Sequence, residues 1–212
     1  MAEHWPWYAL LLLGAFHGLN PAMGWLFAVA LGLQEGRRAG VLRALGPIAV
    51  GHGLSIALVV AFVGGAQAVA APALLRQAGA VALILFGLYR FLRPGSHPAW
   101  VGMRLGLPEL ALWSFLMATA HGAGLMLFPL LLGLPPAPGV HHLAGSDPAS
   151  LFLAQGGAAV LVHTLAMLAV MGAVALAVYE WVGLALLRKA WLNLDTLWAL
   201  ALIAAGVITL FT

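Results

Sequence analysis

Four histidines and an asparagine stand inside segments of this chain that are otherwise apolar enough to cross a bilayer. His17 lies in GAFHGLNPAMGW (14–25), His52 in AVGHGLSIALVVAF (49–62), His121 in ATAHGAGLMLFP (118–129) and His163 in VLVHTLAMLAVMGA (160–173). Ionisable side chains at such depth are costly and mark functional sites by default. Neutral imidazole suits zinc, copper, iron and nickel, and thioether sulfur selects soft ions such as Cu(I). Met117 precedes His121 by four residues and Met167 follows His163 by four, so each pair shares a helix face. The four histidines, with Asn20, Met117 and Met167 as further contacts, are the candidate ligands of a metal cation. Protons would compete with that metal, because a ligand nitrogen must be deprotonated to bind.

The backbone adds to this. Pro21 has no N–H, so the carbonyl four residues earlier, that of His17, is expected to lose its helical partner beside the Asn20 amide. Pro129 is expected to break the mirrored segment by releasing the Leu125 carbonyl. Irregular backbone at membrane depth is tolerated only where it is buried in protein or lines a cavity.

The elements that must position these groups are read from composition. Of 212 residues, 64% are hydrophobic and 7% charged, with a mean hydropathy of +1.04, against about 25% charged in soluble domains. Lipid is the solvent that suits such a chain. The absence of cysteine excludes disulfide, thiol-redox and thiolate chemistry. The net charge of +3 forms no basic run or basic–aromatic face, which excludes nucleic acid as a partner. The N-terminus has no basic region ahead of its apolar run and is read as the start of the first span. Spanning helices of roughly 20 residues are expected at about 8–33, 44–67, 72–93, 107–134, 149–179 and 192–211. Of nine basic residues, only Arg76 falls on one side; the connectors holding Arg37, Arg38, Arg43, Arg90, Arg93, Arg104, Arg188 and Lys189 share the other. The positive-inside rule then puts both termini outside the cytoplasm. Trp5, Trp7 and Tyr8 suit one interfacial belt and Trp191 the other.

Two halves resemble each other in order. Setting His17 on His121 and His52 on His163 requires offsets of 104 and 111, and ILFG (84–87) meets IAAG (203–206) at 119. Each half has an odd number of spans, so the second must insert upside down. Inverted repeats of this kind carry cargo between them near the midplane. The expected fold is thus all-α: one membrane domain over 1–212, with six transmembrane helices in two inverted three-helix repeats, about 8–93 and 107–211.

Six spans in two halves, a leading histidine in the first and fourth, and the proline break after His17 resemble the lysine-exporter superfamily, nearest its nickel/cobalt exporter and CcdA/DsbD-like branches. The nickel/cobalt branch carries H-x4-D-H, whereas GLNPAMG follows His17 here, and the CcdA-like branch works through cysteine pairs. Only His17 therefore carries over. The resemblance implies metal export. The chain is thus read as a bacterial inner-membrane exporter, not an enzyme, with a transition-metal ion as cargo, a proton gradient able to drive turnover through competition at imidazole, no tightly bound cofactor and a homodimer as one candidate assembly. Two alternatives differ in class: a haem-b electron-transfer protein with histidine pairs as axial ligands, and an accessory membrane subunit.

Overall fold

The computed structural model describes residues 5–67, 69–93, 106–134, 148–182 and 194–211. Arg104, Arg188, Lys189 and Trp191 lie outside them. The described chain is all-helical. Its helices are α1 (Trp5–Leu19), α2 (Trp25–Glu35), α3 (Arg38–Gln67), α4 (Pro72–Leu92), α5 (Leu107–Ala120), α6 (Ala123–Leu132), α7 (Pro148–Ala177) and α8 (Leu194–Phe211). A 3-10 turn (Pro21–Met23) lies between α1 and α2, and α7 ends in a π-helical turn (Val178–Val182).

Among the described residues three helices are long and apolar enough to cross a membrane: Arg38–Gln67, Pro72–Leu92 and Ser150–Trp181. The pair α5 and α6, bent by 60° at a short break, counts as a fourth if taken as one span. Trp25–Glu35 and Thr196–Phe211 are apolar but shorter. The hydropathy of 8–33 and 107–134 is therefore not carried by continuous helices. Each segment is cut near its middle. The outer surface suits lipid, since Leu12, Phe62 and Leu161 point outward at 72%, 77% and 60% exposure, while His17, His52, His121 and His163 are buried.

Small residues set how the helices meet, as expected where lipid removes any hydrophobic drive between them. On α1, Gly14 lies against the backbone of His163 and Gly18 against that of Met167. The numbering rises together, so α1 and α7 run parallel. Ser114 Oγ donates to the Ile48 carbonyl at 2.9 Å, and the Ser55 and Thr119 hydroxyls meet at 2.9 Å. That makes α3 and α5 parallel as well. The Thr119 proton is spent on the Phe115 carbonyl, so Ser55 is the donor of the second bond. Gly64 faces Phe152, Gly53 faces Thr164 and Gly172 faces Leu45, so α3 and α7 are antiparallel.

The α4–α8 contact is reciprocal. A Cβ on Gly87 would lie 2.7 Å from Ile203 Cγ1 and 3.0 Å from the Ala199 carbonyl oxygen. A Cβ on Gly206 would lie 2.7 Å from Ile84 Cγ1 and 2.8 Å from the Ala80 carbonyl oxygen. Either glycine is the only residue that permits this approach. At the end where α3 begins, Arg38 Nε meets Glu180 Oε1 at 2.7 Å, and Glu35 binds Arg37 at 2.9 Å and Arg43 at 3.1 Å. Such exposed pairs contribute little stability singly, but they fix which ends of α2, α3 and α7 lie together.

Candidate functional site

Beside a smaller core of Leu83, Trp198 and Leu202, two apolar cores lie one above the other along the bundle. One, at the arginine-bearing end, contains Met23, Val41, Ile48, Trp113, Met167 and Met171; the other contains Leu10, Ile56, Val60, Leu127 and Ala159. On each helix the histidine falls between the two: His17 between Leu10 and Met23, His52 between Ile48 and Ile56, His163 between Ala159 and Met167. The imidazoles form a polar layer between two dry ones.

Helix packing brings three of them together. His17, His52 and His163 each offer a ring nitrogen, and these lie within 4.8 Å of one another. The His52 and His163 rings stack at 10° with centroids 5.6 Å apart. His17 meets both edge-on, at 5.2 Å and 4.9 Å. His17 Nδ1 lies 3.2 Å from the Leu13 carbonyl. A carbonyl only accepts, so Nδ1 carries the proton and the neutral ring's lone pair sits on Nε2. That is how a metal-binding histidine is usually oriented. The Nε2 atoms of His17, His52 and His163 are buried and make no hydrogen bond. Buried polar atoms are nearly always satisfied, so unpartnered ring nitrogens on three adjoining histidines, both of them on His163, form a ligand-shaped gap.

His121 stands beside this group without joining it. It is close enough to interact electrostatically with His17 and His52, and its Nδ1 donates to the Met117 carbonyl at 2.8 Å. The bond repeats that of His17 to Leu13 at the same 104-residue offset.

Both segments break, though not as their prolines suggest. After His17, Asn20 takes an extended conformation and its Oδ1 accepts from the Ala22 N–H at 3.0 Å. The 3-10 turn follows, and Gly24 at φ +122° restarts the helix. The His17 carbonyl is not released: it accepts from the Asn20 N–H at 3.1 Å, because the chain tightens into a 3-10 turn instead of opening. The orphan is Leu19, whose carbonyl accepts from Trp25 Nε1 at 3.1 Å. In the second half the break falls at His121–Gly122, where Gly122 adopts φ +68°. Pro129 is no break, for it sits inside the continuous helix α6. There the orphaned carbonyl is that of His121 itself, and Trp198 Nε1 of α8 donates to it.

Of the other expected contacts, Asn20 is buried with its Nδ2 unpartnered. Met117 and Met167 are buried in the core at the arginine-bearing end. Trp198 is the residue that sequence reasoning missed. Its indole lies 4.2 Å from the His17 ring and 5.6 Å from that of Phe16, so one side chain touches the histidine group and ties the second break. A tryptophan deep in a span, away from the interfaces where this residue usually sits, was the available signal. Compared with known proteins, the chain matches no family model, no curated protein and no solved structure.

Proposed function

We propose that this protein is a membrane transporter for a transition-metal cation, with His17, His52 and His163 as the midplane ligands and His121 beside them. The observation that carries the reading is a set of three buried histidines that offer ring nitrogens within 4.8 Å of one another, each with an unpartnered Nε2. Zinc–nitrogen bonds of about 2.0–2.1 Å put two nitrogens on one ion roughly 3–3.5 Å apart. The group would therefore contract by about 1–2 Å around an ion. A site that assembles on binding and relaxes on release suits a carrier better than a permanent structural metal.

In this reading the chain crosses the membrane six times in two inverted repeats, with α1–α2 and α5–α6 as broken spans of the kind that hold transporter sites. Reciprocity supports it. The partners of Gly87 are Ile203 and Ala199, and the partners of Gly206 are Ile84 and Ala80, each pair related by 119 residues. Packing of α1 on α7 has its counterpart in α5 on α3, and both pairs are parallel. Pairs that are their own counterparts, α3 with α7 and α4 with α8, are antiparallel, as a two-fold axis in the membrane plane requires. The basic connectors give both termini an extracytoplasmic position and the protein an inner-membrane location. Outward transport and kinship with the lysine-exporter superfamily follow from the resemblance of the histidine segments; proton coupling follows from competition at imidazole. The haem reading is weaker. His17 is wedged edge-on against both other rings and Trp198 covers it, which leaves no slot for a flat macrocycle.

The test is flux. Proteoliposomes should move Zn(II), Ni(II), Co(II) or Ag(I) down an imposed gradient, and His17→Ala should reduce that movement to the lipid background. Unchanged flux in H17A would remove the histidine site from the mechanism.

A further inference from the structure

The two cores on either side of the histidine layer differ in one respect that packing does not require. The core of Leu10, Ile56, Val60 and Leu127 contains no methionine, whereas the other holds Met23, Met117, Met167 and Met171, all buried. Helix direction gives this asymmetry a meaning. Along α1–α2 the chain passes from His17 through Met23 toward Arg37. Along α7 it passes from His163 through Met167 and Met171 toward Glu180, which meets Arg38. Successive thioethers on α7 are four residues apart, one face and about 6 Å of rise per step. Helix α5 runs the other way, parallel to α3, so Met117 precedes His121 and still falls on the arginine-bearing side. Four buried methionines from three chain segments, the 3-10 turn, α5 and α7, thus belong to one core on one side of the imidazoles.

We propose that Met23, Met117, Met167 and Met171 form a thioether site for a soft monovalent cation, Cu(I) or Ag(I), adjoining the histidine layer on its arginine-bearing side. The proposal rests on the metal-transport reading and narrows its cargo. Thioether sulfur is a neutral ligand that binds soft ions and discriminates against hard divalent ones. It needs no deprotonation, so an ion can be received without proton release and then passed to imidazole, where protons compete. Leu and Met exchange at small cost, so packing alone does not dictate that the four fully buried methionines gather in the core that also holds Val29, Val41, Ile48 and Leu110, while Met126 is only partly buried against a third core.

The experiment uses the full chain in detergent, titrated with Ag(I) and separately with Zn(II), followed by X-ray absorption of the Ag(I)-loaded protein. The expected wild-type silver shell contains sulfur. Met167→Leu combined with Met171→Leu should lose at least about tenfold in Ag(I) affinity, the scale of other changes near a bound metal, and keep its Zn(II) affinity, which also reports that it is folded. A wild-type silver shell without sulfur overturns the proposal, as does full Ag(I) affinity in the double variant. Should that variant fail to fold, Met171→Leu alone carries the comparison and the wild-type silver shell still decides. His17→Ala separates the two claims: it should abolish Zn(II) binding and leave sulfur around silver. Unchanged Zn(II) binding in H17A counts against the histidine reading alone.

Discussion

The two helix breaks solve one problem by different means. Each leaves a backbone carbonyl without a helical partner, and each has that carbonyl answered by an indole N–H. In the first half the solution is local: Asn20 caps the 3-10 turn, and Trp25, six residues on from Leu19, supplies the donor. In the second half the break is two residues long, depends on a left-handed Gly122, and borrows its donor from Trp198 on α8. The first break can therefore form as its own span folds. The second is complete only when α8 has docked, and through Trp198 it is mechanically joined to His17. The two segments match in their histidines but differ in how their breaks are held, and His17 lies inside the three-histidine group while His121 does not.

The sharpest way to break this comparison is Gly122→Ala. The left-handed conformation costs an L-residue about 1–2 kcal/mol, and a Cβ would sit 2.7 Å from Phe86 Cε1. With overpacking included, a loss of about 2–4 kcal/mol is expected, read as a lower unfolding temperature in detergent. A G122A protein of wild-type stability would mean that the second span does not break there.

Trp198→Phe should come next. It keeps an aromatic ring against His17 but leaves the His121 carbonyl buried without its indole donor, at about 1–3 kcal/mol. Trp25→Phe should cost less, about 1 kcal/mol or below, because the first break retains its Asn20 cap. Equal losses would erase the local-versus-borrowed distinction. Smaller still is the pair at the first turn: Asn20→Ala should lose about 1 kcal/mol with the cap, whereas Pro21→Ala should be close to neutral in stability and still slow transport. The alanine N–H offers the His17 carbonyl an α-helical donor in place of the Asn20 N–H of the 3-10 turn, so the segment can straighten. A P21A variant with wild-type flux would show that the turn is only a packing kink.

These differences also explain what could be read from the sequence. Imidazoles are rare in apolar spans, so His17, His52, His121 and His163 were visible from composition and depth alone. That three of them would meet while His121 stood aside was not, because it depends on how α1, α3 and α7 pack through Gly14, Gly18 and Gly53. Hydropathy marked six apolar stretches yet is blind to helical continuity, so the interruptions inside 8–33 and 107–134 did not register as shorter helices. Proline located the first break, though not the carbonyl it exposes. It misplaced the second, because a glycine with positive φ ends a helix as effectively, and Pro129 is accommodated within α6. The depth of Trp198 in its apolar stretch marked it as unusual, but what it does could not be read, because its partners are 77 and more residues away in the chain.

The central claim is that a metal ion binds where His17, His52 and His163 bring their ring nitrogens together, and zinc X-ray absorption of the purified protein tests it directly. The account predicts nitrogen scatterers at about 2.0–2.1 Å, with imidazole multiple scattering that weakens in His52→Ala and His163→Ala and persists in His121→Ala. A shell of oxygen alone, or one indifferent to which of the four histidines is removed, would contradict it.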